Sequence, residues 1–108
     1  MFKWISGRQG GGYDKLPLLV SKLLKCDLYV LKFPEGSEVR PHVDKVSSGK
    51  HFRLNLTIRK AKVGGEFVCG ENIFANKRLQ FFRPDLHEHS LTKVEKGDMY
   101  MISFGFVR

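Results

Sequence analysis

Residues 52–59 alternate without a break, with Phe52, Leu54, Leu56 and Ile58 on one face and Arg53, Asn55, Thr57 and Arg59 on the other. A period of two is the signature of a pleated strand, whose successive side chains leave on opposite sides. From Leu28 onward the chain reads the same way. Residues 28–33 are rich in strand formers and stop at the turn Pro34-Glu35-Gly36-Ser37. Gly64-Gly65 marks a turn before residues 66–69. Further strands are expected at 79–82, 90–94 and 99–104, the last preceded by the turn Lys96-Gly97-Asp98. Short strands at close spacing predict a mainly β sandwich or barrel.

The N-terminal part reads differently. After Gly10-Gly11-Gly12, the residues Leu16, Leu19, Val20, Leu23 and Leu24 recur at helical spacing. Asp14 is a possible N-cap, and Pro17 is tolerable in a first turn. One short N-terminal helix is expected there, with an extended segment as the alternative. The 108 residues suit a single domain, 1–108, with 1–27 as lid or buttress and 28–106 as barrel core. An apolar fraction of 42%, with nine Phe, is enough for one core and argues against disorder.

The sequence shows no membrane-spanning run and no signal-peptide order at its start, and Cys26 and Cys69 form no CxxC. A cytoplasmic protein with reduced thiols is expected. The net charge of +8 is spread evenly, with ten basic and five acidic residues in 1–54 and nine and six in 55–108. It fits a soluble basic surface or a polyanion partner equally well. Lys60, Lys62, Lys77 and Arg78 could form a basic edge for nucleic acid, or protect an edge strand.

The chemistry centres on His42-Val43-Asp44, the polar face beginning at Arg53, and His89. On a strand, His42 and Asp44 would point the same way and offer an imidazole nitrogen and a carboxylate oxygen to one ion. A second histidine from elsewhere would complete the facial triad used by non-haem Fe(II) oxygenases. By itself the motif favours a surface histidine beside Pro41 and a turn-capping Asp44.

The ordered set is more specific. Arg40-Pro41-His42-Val43-Asp44 is followed by His51-Phe52-Arg53-Leu54-Asn55-Leu56, and then by Gly64-Gly65-Glu66-Phe67. Arg83-Pro84-Asp85-Leu86-His87-Glu88-His89-Ser90-Leu91 and Ile102-Ser103-Phe104-Gly105-Phe106 complete it. Over about residues 28–106 this resembles the Fe(II)/2-oxoglutarate-dependent dioxygenases. The likeness is to small oxygenase-like proteins of bacteria and phages and to the aspartyl/asparaginyl β-hydroxylase branch. The resemblance implies a double-stranded β-helix, a cupin-like jelly roll. It also implies Fe(II) on His42, Asp44 and His89, with 2-oxoglutarate as co-substrate for hydroxylation of an unidentified prime substrate. His87, two residues before His89, is the alternative distal ligand.

One departure stands out. The family commonly carries a basic residue ten positions after its distal histidine, to pair with the far carboxylate of 2-oxoglutarate. Here that position is Met99, and a thioether cannot neutralise a carboxylate. Arg53 is the expected substitute, with Asn55 beside it; both are expected to face the cavity and hold the co-substrate. The competing reading is a non-catalytic cupin-like domain that binds a metal or a polyanion, nucleic acid included. Trp4 and Gly7-Arg8-Gln9 could line an entrance, Arg40 could point toward the metal site or be a solvated loop charge, and Phe81, Phe82, Phe104 and Phe106 are expected in the core.

Overall fold

The computed structural model describes residues 4–6, 12–44, 46, 48–76 and 78–108. Twelve strands follow in order: β1 Ile5–Ser6, β2 Asp14–Ser21, β3 Cys26–Phe33, β4 Val39–His42, β5 His51–Arg59, β6 Val63–Gly64, β7 Phe67–Cys69, β8 Asn72–Ala75, β9 Leu79–Phe82, β10 His89–Leu91, β11 Val94–Lys96 and β12 Met99–Val107. They form a seven-stranded sheet ordered β1-β2-β3-β12-β5-β9-β8, a three-stranded sheet β4-β10-β7, and a pair β11-β6. This is the mainly β, double-stranded jelly roll that the sequence predicts. The described residues contain no helix, and so none long and apolar enough to cross a membrane.

The three sheets meet in one apolar cluster. Phe33, Met99 and Met101 come from the large sheet, Leu91 from the three-stranded sheet and Val94 from the pair. The central strand β12 explains the layout. Met99, Met101, Ser103 and Gly105 are buried, while the intervening Tyr100, Ile102, Phe104 and Phe106 face outward and are half-buried. Val94 packs tightly because β6 approaches β11 through a glycine. Gly64 has φ 78°, and a Cβ there would overlap the carbonyl oxygen of Lys93.

Strand β5 turns its polar side inward. Asn55 and Thr57 are 6% and 7% exposed, whereas Leu56 and Ile58 are 42% and 50% exposed. A one-sided antiparallel strand ordinarily does the reverse. The Asn55 carbonyl is compensated by the Ser103 hydroxyl, which donates to Oδ1 at 2.6 Å from the neighbouring strand.

The N-terminal helix is not present. Residues 14–21 form β2, antiparallel to β3 from Asp14↔Lys32 to Ser21↔Cys26. Leu19, Val20, Leu23 and Leu24 are all exposed, so no core exists for a helical stripe to bury. Pro17 is compatible with the strand because β1 pairs only with Asp14 and Lys15. Beyond them no described residue pairs with β2 on that side, where a missing N–H breaks no described ladder bond, and the register with β3 shifts between Pro17 and Leu19. The run at 90–94 is likewise two strands. Leu91 ends β10, Glu66 and Thr92 bond to each other, and Val94 opens β11. Pro41 disguised β4, an edge strand of its sheet.

Phe82 is fully buried, but Phe81, Phe104 and Phe106 lie with Phe52 on the outer face of the large sheet, ring centroids 5.3–6.5 Å apart. Cys26 and Cys69 are both free thiols. Met99, 2% exposed, belongs to the apolar cluster. Met99→Ala should therefore destabilise the fold by about 2–5 kcal/mol, read as a lowered urea midpoint at unchanged slope.

Candidate metal centre

Strands β4 and β10 pair so that His42 and His89 stand directly opposite each other. Their imidazole centroids are 4.3 Å apart. Each ring is held from behind by a carbonyl two residues earlier in its own chain segment: His42 Nδ1 is 2.7 Å from the Arg40 oxygen, and His89 Nδ1 is 3.1 Å from the His87 oxygen. A carbonyl only accepts, so each Nδ1 carries a proton and each Nε2 is left with its lone pair when the ring is neutral.

Both Nε2 atoms face the same carboxylate. His42 Nε2 is 3.3 Å from Asp44 Oδ1, and His89 Nε2 is 3.4 Å from Asp44 Oδ2. Asp44 lies beyond the end of β4, so strand alternation is not what aims it. Its backbone N–H donates to the Pro84 oxygen at 2.7 Å, tying the loop after β4 to the turn before β10. Burial works to raise the Asp44 carboxyl. The hydrogen bond from His89 and the charges of His42, His89 and Arg53 outweigh it and hold the group below its ordinary value.

Two lone pairs aimed at one carboxylate repel unless a proton or a cation stands between them. The three ligand atoms lie within 4.8 Å of one another. Donors about 2.1 Å from one ion and at right angles to each other stand roughly 3 Å apart, close to the two nitrogen–oxygen spacings here. His42, His89 and Asp44 would hold a divalent first-row metal through two nitrogens and one oxygen, a donor set that would leave room for further ligands. Among the described residues, His87 is turned elsewhere. Its Nε2 is 3.8 Å from Glu71 Oε2, and its carbonyl orients His89.

The triad opens into a cavity of about 340 Å³ between the sheets, whose wall includes Arg53, Asn55, Ser103, Asp27 and His51. Arg53 Nη1 donates to Ser103 Oγ at 2.6 Å and Nη2 to Asp27 Oδ1 at 2.7 Å. His51 Nε2 is 3.5 Å from Nη2, and its Nδ1 is buried without a hydrogen-bond partner. Burial and the Arg53 charge lower the His51 pKa, which leaves the ring neutral near pH 7.

Asp27, His51 and Ser103 are absent from the sequence-based site. His51 was within reach of the alternation rule, two residues before Arg53 on the same face. Asp27 and Ser103 join the site only through the strand order β3-β12-β5.

The remaining candidates fall outside this cavity. Met99 lies in the apolar cluster, the Arg40 side chain is exposed, and Trp4 is exposed. Lys60 and Lys62 are exposed, and Arg78 donates to the carbonyls of Thr57 and Ile58. Gly7-Arg8-Gln9 and Lys77 lie outside the described residues.

No protein-family model matches this chain, and no curated protein sequence does. Solved structures do. A predicted oxalate decarboxylase from Thermotoga maritima superposes with a TM-score of 0.71 at 18% identity, covering 99% of this chain and 92% of its own. An RmlC-like cupin from Shewanella frigidimarina gives 0.61 at 16% identity, covering 99% and 86%. A cupin 2 conserved barrel protein from Rhodopseudomonas palustris gives 0.58 at 17% identity, covering 99% and 70%. The fold is that of the cupin barrels.

The turn that carries Pro84 is itself held electrostatically. The Arg83 side chain donates to both oxygens of Asp85. Burial alone would raise the Asp85 carboxyl. The Arg83 bonds and the backbone N–H groups of His51 and Asp85 hold it below its ordinary value. The resulting stabilisation is complete above the unfolded value of 3.8 and is lost as pH falls through the lowered folded one. Asp85→Asn should cost about 1–2 kcal/mol at pH 7. Urea unfolding should show that gap closing as both proteins are taken below about pH 4.

Proposed function

We propose that this protein is a metal-binding cupin-type domain that holds a divalent ion on His42, Asp44 and His89 and takes a small anion at the ion's open positions. One observation carries the reading: two imidazoles, each fixed by a carbonyl at Nδ1, direct both Nε2 atoms at one carboxylate. A surface histidine pair would not need both rings oriented this way. The chain's own residues fix the ligand geometry, enclose the cavity between two sheets, and place a guanidinium in its wall. A bound divalent ion would supply Lewis acidity and, if redox-active, electron transfer.

The narrower reading is an Fe(II)/2-oxoglutarate-dependent oxygenase acting on an unidentified substrate. It is favoured by a facial set of two histidines and one carboxylate sharing a cavity with Arg53 and Asn55. In that reading Arg53 supplies the positive charge that Met99 does not, and Asn55 lies beside it on the same strand face.

Metal titration tests the first claim. The wild type should take up one Mn(II) or Fe(II) per chain, and His42→Ala or Asp44→Ala should weaken uptake by more than about tenfold. Unchanged metal content in both variants would remove these residues as ligands. Anaerobic addition of Fe(II) and 2-oxoglutarate tests the second. A weak visible charge-transfer band, diminished in Arg53→Ala, is expected of the oxygenase. Full metal binding without such a band would leave the metal domain standing and discard the oxygenase.

A further inference from the structure

Arg53 reaches Asp27 by crossing a whole strand. In the large sheet β12 lies between β3 and β5, and Gly105 is the register partner of both Asp27 and Arg53. The guanidinium lies over Gly105. A Cβ at that position would overlap Nη2 and stand 2.6 Å from Cζ and 3.1 Å from Nε. Gly105 is not among the glycines with positive φ, so what it supplies is room rather than a special backbone. An arginine aimed into the cavity would need no such gap beneath it.

The ion pair also shapes the charge of the cavity. Among the described residues its formally charged acidic and basic side chains are Lys15 and Arg53 against Asp27 and Asp44, which cancel. A divalent ion leaves two positive charges, the complement of a small dianion. Of the five guanidinium N–H groups, two are committed at short range, to Ser103 and to Asp27.

Resting on the metal-binding reading above, we infer that Asp27 holds Arg53 in a parked position over Gly105, and that a two-ended anion at the metal centre must draw the guanidinium off Asp27 to bind its far carboxylate. Asp27 is then a resident competitor. It keeps Arg53 neutralised while the cavity lacks its anion, and it selects for ligands whose second charge pairs better than its own carboxylate. Ligands that chelate the metal but carry no second charge do not compete with it.

The test uses the Mn(II)-loaded chain and two probes that share a 2-oxo-carboxylate head: 2-oxoglutarate, which has a second carboxylate, and 2-oxobutyrate, which lacks one. Asp27→Asn removes the competing charge. Gly105→Ala leaves that charge in place and displaces the guanidinium, whose flexible side chain can move aside. Both variants should bind 2-oxoglutarate about tenfold more tightly by calorimetry and 2-oxobutyrate within twofold of the wild type. Adding Arg53→Gln to either should abolish the gain. An ion pair that only stabilises the fold predicts weakened or unchanged 2-oxoglutarate binding in both variants. That result, or no 2-oxoglutarate binding to the Mn(II)-loaded variants, overturns the inference. If Asp27→Asn fails to fold, Gly105→Ala alone decides the sign. Failure of the wild type to take up Mn(II) overturns instead the reading on which the inference rests.

Discussion

The register between β4 and β10 is the constraint on which the site depends. It sets His42 opposite His89, and a slip of one residue would send one imidazole to the other face of its sheet. Strands of four and three residues hold a register poorly by backbone bonds alone. Here the packing fixes it. Leu91, paired with Val39, is locked into the apolar cluster, and Val39 packs against that cluster. The bond from Asp44 N–H to the Pro84 oxygen fixes the other end of the pairing. The carboxylate thus arrives between the two rings through a loop contact rather than through strand periodicity.

Strand β12 divides the interior in two. Its buried Met99 and Met101 contribute to the apolar cluster, and its buried Ser103 lines the cavity, with Gly105 beneath the Arg53 guanidinium. The polar half is tolerable because it is wired. Asp27 accepts from Arg53, Arg53 donates to Ser103, and Ser103 donates to Asn55. A buried polar group with a partner costs little, whereas an orphan costs its full desolvation. His51 Nδ1 and Gln80 Oε1 are the buried side-chain atoms without partners among the described residues. One of the two therefore sits on the cavity residue beside Arg53.

Several features were legible in the sequence and others were not, for physical reasons. The alternation at 52–59 identified β5, and the resemblance supplied both His89 and the expectation of an inward polar face. That face ran against the usual solvent-facing rule, which a single strand cannot override by its own pattern. The helical spacing from Leu16 to Leu24 misled because Leu19 and Val20 at the end of β2 and Leu23 and Leu24 in the turn after it are exposed, so no packing constrains their spacing. Asp27 carries no local signal. It is 26 residues from Arg53, and only a three-strand order with a glycine in the middle brings them together.

The position of the cation follows from the same division of β12. A basic residue at position 99 would lie in the apolar cluster, packed with Phe33, Leu91 and Val94, where an ammonium has no partner and its desolvation would dominate. Methionine fits that place because its thioether is soft and unbranched, and its sulfur fills the space next to Gly65. At the polar end β12 is paired along Ser103 and Gly105 with β3 on one side and β5 on the other, and β5 brings the positive charge of Arg53. Arg53 has the length to cross β12, and Gly105 has the vacancy to let it lie there. The glycine and the arginine are therefore one device. Residue 105 has to be small because the Arg53 guanidinium occupies the space a Cβ would take, and that pairing accommodates a guanidinium on the same strand face that carries Met99 and Met101 into the apolar cluster.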